Sequence, residues 1–180
     1  MQVDFLIDLF TIAKKNNVHT CIDTSGIAYK KNASPEWLAK LDTLMKLTDL
    51  VMLDIKHIDP EKHKELTAQP NDGILAFAEY LNEKHVDMWI RHVIVPGITD
   101  DDEYLYKLGY FIGSFTNLKA LDALPYHTMG KPKYEKLGMT YKLDGVEPMD
   151  KSKLIEKKEV ILSGIRKRRE ELGTLTPDNK

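Results

Sequence analysis

Apolar residues along this chain alternate between two periods, about 3.6 and about 2, and the alternation predicts helix and strand in turn. Phe5, Leu6, Leu9, Ile12 and Ala13 recur at helical spacing, and the run closes at Lys14-Lys15-Asn16-Asn17, a composition suited to a helix C-terminus. Val18 to Ile22 is short and rich in β-branched residues. It ends at Asp23-Thr24-Ser25-Gly26 and so predicts a strand running into a polar turn. Ser34-Pro35-Glu36 starts a helix, with serine as N-cap and proline in the first turn, and Trp37, Leu38, Leu41, Leu44 and Met45 supply its apolar stripe. Asp49 to Ile55 is nearly all apolar, as expected of a parallel strand covered on both faces.

Asp59-Pro60 and Gln69-Pro70-Asn71-Asp72-Gly73 punctuate two further helical stretches, the later one carrying Leu75, Ala76, Ala78, Tyr80 and Leu81. A third strand, Asp87 to Val95, stops at Pro96-Gly97. Thr99-Asp100-Asp101-Asp102 then places a cap and acidic residues ahead of a helix with Tyr104, Leu105, Leu108 and Phe111. A fourth strand, Leu118 to Leu124, runs into Pro125-Tyr126-His127. A long Gly/Lys/Tyr-rich loop over residues 125–149 and a charged helix from Lys151 to Leu172 complete the pattern. Four alternations of strand and helix predict an α/β fold of parallel βα units with right-handed crossovers. A complete eight-fold barrel takes about 250 residues, so the strands amount to roughly half of one. The chain opens on a helix, which leaves the outer edge of the first strand without a neighbour and predicts association through residues 18–24. Residues 1–172 are expected to form one domain, with 173–180 a disordered tail.

With 42% apolar and 30% charged residues in 180, the composition is that of a soluble globular domain. A formal charge of −2, from 26 basic and 28 acidic side chains, provides no field that gathers nucleic acid or anionic membrane. No apolar stretch approaches the roughly 18 residues of a membrane span, and the N-terminus lacks the basic region of a signal peptide, which points to the cytoplasm. Cys21 is the one cysteine, so no internal disulfide and no all-thiolate metal cage can form.

Ligands of parallel βα sheets bind at the C-terminal ends of the strands. There the sequence places Asp23 and Thr24 after the first strand, Asp54 and Lys56 on the second, Arg91 on the third and His127 after the fourth. Alternation along the second strand puts Met52, Asp54 and Lys56 on one face and Val51, Leu53 and Ile55 on the other. On the third strand it gives Trp89, Arg91 and Val93 a common face. Each candidate has a plainer reading. Asp23 suits a turn, Asp54 and Lys56 suit an ion pair, Arg91 suits neutralisation of Asp54, and His127 suits an exposed loop. Two charges inside an apolar strand are costly unless used or paired, and this favours function at Asp54 and Lys56. Cys21, inside a strand, reads as a small buried hydrophobe. His57 and His63 lack metal-ligand spacing and read as surface residues, and Arg166-Lys167-Arg168-Arg169 reads as a solvated helix face.

The segments HTCIDTSG (19–26), TDLVMLDIKH (48–57), WIRHVIVPGITDDD (89–102) and LPYHTMGKPKYEKLG (124–138), in this order and spacing, closely resemble the activating enzymes of pyruvate formate-lyase. These are glycyl-radical-enzyme activases of the radical S-adenosylmethionine (SAM) superfamily. YKLDGVEP (141–148) is similar to that family's ending. The resemblance covers residues 2 to about 165 and implies a partial, TIM-like (β/α) barrel, here of about four βα units, binding SAM across its strand ends. It also implies that a [4Fe–4S] cluster cleaves SAM reductively, with an electron from flavodoxin or ferredoxin, and that the resulting 5′-deoxyadenosyl radical takes a hydrogen from a glycine of pyruvate formate-lyase. The implied SAM contacts are Asp54 and Lys56 at the ribose, Arg91 at SAM or the partner's glycine loop, and His127 with the backbone of Leu124, Pro125 and Tyr126 at the adenine. Asp23, Thr24, Met52 and Asp54 are implied to surround a monovalent cation.

One departure is large. The family's CxxxCxxC motif and Gly-Gly-Glu motif are absent, and Met1-Gln2-Val3-Asp4-Phe5 resembles the family just after the latter. One cysteine cannot supply three thiolates to a cluster. Two other readings compete with the activase. The first is a Schiff-base aldolase in which Lys56, beside Asp54, attacks a carbonyl; the second is a non-catalytic fragment that docks to the lyase.

Overall fold

A computed structural model describes residues 2–174. Along them run α1 (Val3–Lys15), β1 (Cys21–Thr24), α2 (Pro35–Lys46), β2 (Leu50–Asp54), α3 (Pro60–Thr67), α4 (Asp72–Glu83), β3 (Asp87–Ile94), α5 (Asp102–Ile112), β4 (Leu118–Pro125), α6 (Lys131–Lys136) and α7 (Lys151–Glu171). The strands pair in sequence order within one sheet, β1 with β2 and β2 with β3 in parallel, so the α/β class expected from the alternation is the class observed. Apart from Gly173 and Thr174, the tail expected to be disordered lies outside the described residues. No helix among the described residues is long and apolar enough to cross a membrane.

Local chemistry explains the element boundaries. Ser34 Oγ accepts from Trp37 N–H at 3.2 Å to open α2, Asp59 Oδ1 accepts from Lys62 N–H at 3.0 Å to open α3, and Asp101 and Asp150 cap α5 and α7. Thr99 is not a cap. It is buried, and its Oγ1 donates to Val93 O while accepting from Val95 N–H, both at 2.8 Å. β1 begins later than the β-branched run suggests, because residues 16–20 finish the preceding helix. Asn17 adopts φ 56°, Val18 N–H returns to Ala13 O, and Thr20 is bound to Asp49. Asp23 and Thr24 therefore stand in the strand and the turn begins after them.

The chain divides into two compact units, Met1–Arg91 with Phe115–Asp122, and His92–Ser114 with Ala123–Lys180. In the first unit, Leu41 and Leu44 of α2, Leu53 of β2, Ile74 and Leu81 of α4 and Ile90 of β3 are at most 2% exposed and form the core. In the second, α5 and α7 approach until glycine alone fits. A Cβ on Gly109 would lie 1.9 Å from Ile161 O, and one on Gly164 would lie 2.4 Å from Tyr106 O. In the same unit Ile94, Val95, Tyr126 and Met149 form a buried cluster.

Four further expectations need correction, at Cys21, at His57 and His63, over residues 125–149 and at Arg168. The helix expected at α1 forms, with Phe5, Leu9 and Ile12 exposed and with Val3 and Phe10, on the opposite side, buried. The cause is that α1 packs on α2 and β1 pairs only with β2, so the flank beyond β1 has no neighbour among the described residues. Cys21 is exposed, because it shares the uncovered face of β1 with Asp23. His57 and His63 are buried, because the backbone around residues 57–71 folds over them and engages the Nδ1 of each ring, while His63 Nε2 is left buried without a hydrogen-bond partner among the described residues. The stretch 125–149 is not wholly loop. It holds a 3-10 turn at Thr128–Gly130 and α6, with Tyr126 and Tyr141 hydroxyls 3.0 Å apart. Arg168 is not merely solvated, since it lies over the Tyr110 ring at 5.0 Å and donates to its hydroxyl at 3.2 Å.

Replacing Gly109 by alanine must push α7 off α5, and the expected cost is about 1–3 kcal/mol, read as a lower urea midpoint at unchanged slope. A second expectation concerns acid. Asp49 pairs with Lys14 of α1 and accepts from Thr20 N–H at 2.8 Å. The Lys14 bond, then the Thr20 amide, hold its carboxyl down to about 2. A depressed folded-state value means that this stabilisation is present above about pH 4 and is lost as pH falls through about 2. Asp49→Asn is expected to flatten that limb of the curve of melting temperature against pH.

Candidate active site at the strand ends

The parallel register sets the geometry of the site. Asp23 pairs with Met52, Met52 with Trp89, and Asp54 with Arg91. Residues paired in this way point to the same face, so Asp23, Met52, Asp54, Trp89 and Arg91 line one side of the sheet. On the other side Val51, Leu53, Ile55, Met88 and Ile90 are buried. The alternation read along β2 and β3 therefore holds residue for residue.

Arg91 is the hub of a charged network. Its Nη1 donates to Asp23 Oδ2 at 2.6 Å, and its Nε lies 3.5 Å from Asp54 Oδ1. Lys56 Nζ donates to the other oxygen of Asp54 at 2.9 Å. The hydrogen bond to Asp23 raises the guanidinium above its ordinary value; burial opposes this, and the Asp54, Asp23 and Asp122 charges reinforce it. Asp122 escaped the sequence reading. It is an acid inside an apolar strand, the same signal that singled out Asp54, and it belongs to the first unit. Three carboxylates against two cations leave the cluster one negative charge in excess, a field that favours a cationic or hydroxyl-rich ligand. Thr24 turns inward on the chain: its Oγ1 accepts from Gly26 N–H at 3.0 Å, and Gly26 holds φ 71° with Leu53 and Phe77 too close for a side chain.

The structure thus brings Asp23, Asp54, Lys56 and Arg91 into one network, with Thr24 and Met52 on adjoining positions. Leu124, Tyr126 and His127 stand in the second unit. There Tyr126 is buried, its N–H donates to Ile94 O and its carbonyl accepts from Met149 N–H. A hydrogen bond to Tyr141, with burial, pushes its phenol up to about 12. His127 is exposed, and its Nδ1 accepts from Met129 N–H at 3.3 Å.

The donor set suits some groups and not others. For a nucleoside with a positively charged sulfur, the carboxylates of Asp54 and Asp23 and the donors of Lys56 and Arg91 offer both hydrogen-bond senses on one face. For a monovalent cation, Asp23, Thr24, Met52 and Asp54 offer oxygens, but Arg91 and Lys56 already engage both carboxylates and a cation must displace part of that pairing. An iron–sulfur cluster does not fit. The sequence has one cysteine, and no group of three His, Cys, Asp or Glu among the described residues can hold a metal.

Comparison with known proteins decides the family. The model of the "Radical SAM superfamily" matches residues 1–109. The chain belongs to the radical SAM superfamily. It is 50% identical over 147 residues to the pyruvate formate-lyase-activating enzyme of Listeria monocytogenes, a match covering 82% of the chain and 58% of the relative. The Streptococcus mutans protein of that name is 47% identical over 148 residues, 82% of the chain and 56% of the relative. The chain therefore spans a little over half the length of the curated relatives it matches. A solved domain of a pyruvate-formate lyase-activating enzyme from Bacteroides vulgatus shares the fold, with a TM-score of 0.70 at 19% identity over 90% of this chain and 86% of that one. It agrees with the expected partial barrel.

The network makes its own prediction. Asp54→Asn leaves Arg91 and Lys56 adjacent with one shared counter-ion removed, and the expected loss is about 1 kcal/mol, since both cations remain partly solvated. Adding Lys56→Met to that variant should recover part of the loss, a coupling that a double-mutant cycle in urea reads directly.

Proposed function

We propose that this chain forms the nucleoside-binding part of a glycyl-radical-enzyme activase that acts, in the cytoplasm, on pyruvate formate-lyase. The observation that carries the reading is the Asp23–Arg91–Asp54–Lys56 network at the strand ends of a chain about half identical to activating enzymes of that lyase. In this reading Asp54 accepts from the ribose hydroxyls of SAM and Lys56 donates to them. Arg91, steadied by both carboxylates, meets the anionic end of SAM or the backbone of the partner's glycine loop. His127, with backbone oxygens of Leu124, Pro125 and Tyr126, each able to accept a second hydrogen bond, is the proposed contact of the adenine. A monovalent cation beside the SAM carboxylate takes oxygens of Asp23, Thr24, Met52 and Asp54, and offsets the excess negative charge of the cluster.

SAM, in this superfamily, supplies the radical that removes a hydrogen from the target. The single cysteine of this sequence cannot supply the three thiolates of the [4Fe–4S] cluster with which that chemistry is initiated, so cluster ligands and the docking of flavodoxin or ferredoxin are proposed to come from other polypeptide. The aldolase reading is disfavoured. Lys56 Nζ is committed to Asp54 at 2.9 Å, and attack on a carbonyl would first have to break that bond.

A hybrid tests the proposal. Replacing the matched share of the Listeria monocytogenes relative by this chain is expected to give a brown protein that cleaves SAM under reduction and installs a glycyl radical on pyruvate formate-lyase. In that hybrid, Asp54→Ala is expected to raise the KM for SAM about tenfold or more. A hybrid that binds its cluster but leaves SAM intact would overturn the reading.

A further inference from the structure

β2 ends at Asp54, and residues 55–59 carry the chain from the sheet into α3. That passage is pinned at three places. Ile55 N–H donates to Arg91 O at 3.0 Å and extends the β2–β3 pairing by one residue. Asn71, 2% exposed at the N-cap position of α4, turns its side chain away from its own helix; Nδ2 donates to His57 O at 3.1 Å and to Ile58 O at 2.9 Å. His57, also 2% exposed, accepts Asp59 N–H on Nδ1 at 3.1 Å, and Asp59 in turn caps α3. Lys56 sits between these anchors, one residue before His57.

We infer that His57 is a positioning residue for Lys56, a latch that holds the β2 exit while its ring is neutral and releases it when the ring takes a proton. The inference rests on the SAM-binding role given to Lys56 above. Its physical basis is the direction of one hydrogen bond. A backbone N–H only donates, so Nδ1 must be bare and the ring proton must sit on Nε2. Protonation would set two N–H groups against each other and place a charge where water is excluded. The carbonyls of His57 and Ile58 would still face Asn71, but the turn that leads from them into the α3 cap would lose its closing bond.

The groups around the ring fix the direction of the effect. Burial, the largest influence, lowers the His57 value below the ordinary 6.5; Asp59 opposes it by charge and through its amide, while His63 and Lys62 of α3 add to the lowering. Asn71, reaching in from α4, is uncharged. A lowered folded-state value means that the latch is fully closed above pH 6.5, and that its contribution is lost as pH falls through that lowered value. Asp54 is held by Arg91 from β3 as well as by Lys56, so the latch acts on the backbone that carries Lys56 and not on the Asp54 carboxylate itself. His63 does not compete for this role. Its Nδ1 donates to Gln69 O at 2.8 Å, which requires the opposite tautomer, and its ring faces α3's own C-terminal turn.

Titration calorimetry of SAM on the whole 180-residue chain, between pH 9 and pH 5, tests the latch. The dissociation constant should be flat in the alkaline half and then rise roughly tenfold per pH unit once His57 titrates. His57→Asn offers the same acceptor to Asp59 N–H without a titrating group, so it should keep the pH 8 affinity and lose the acid limb. Asn71→Ala should weaken binding at every pH. An acid limb that survives His57→Asn, or wild-type affinity that ignores pH, overturns the latch. If SAM fails to bind at any pH, the functional reading falls instead, and hydrogen exchange decides the latch by itself. The Asp59 amide, after correction for intrinsic rates, should be protected at pH 8 and open at pH 5; equal protection at both would overturn it.

Discussion

Everything at the strand ends depends on one arginine shared between two carboxylates on neighbouring strands. Arg91 can touch Asp23 and Asp54 only because β1, β2 and β3 run parallel in a register that puts all three side chains on one face. A slip of one residue in any strand would turn its charge toward the apolar side, where an unpaired ion is very costly. Register and charge placement therefore enforce each other. The buried face set by Val51, Leu53 and Ile55 fixes the register, and the register delivers the charges to solvent.

Much of this was legible in the sequence because it depends on short-range rules. The run Val51 to Ile55 reads as covered on both faces, yet only Val51, Leu53 and Ile55 are buried; Asp54, the one charge within it, is what marks the open face, and Ser34-Pro35 and Asp59-Pro60 declare where helices start. These signals need nothing beyond the nearest few residues. What escaped the sequence depends on distant partners. His57 and His63 read as surface residues until Asn71 and the Gln69 carbonyl, fourteen and six residues away, close over them. Thr99 reads as a cap, yet its hydroxyl closes the end of β3. Asp122 carries the same signal as Asp54, but a single acid inside a strand has many plain explanations, and the arginine whose charge it meets lies on another strand.

The glycines of the second unit show the same division. Composition reveals Gly109 and Gly164 as poor helix formers and says nothing of why two helices accept them. The reason is tertiary. The backbones of α5 and α7 cross so closely that a methyl group at either position would collide with a peptide unit of the other helix. Helix propensity is given up there to gain backbone contact, which is visible only when both helices are in view.

The bare stripe of α1 has a thermodynamic consequence of its own. Phe5, Leu9 and Ile12 lie in water on the flank of a strand whose outer edge is unpaired among the described residues. Whatever settles on that flank binds the folded chain and not the unfolded one, so it adds to stability by mass action. A surface that covered the stripe would make the melting point depend on how much of that surface shares the solution, and on how firmly it sits.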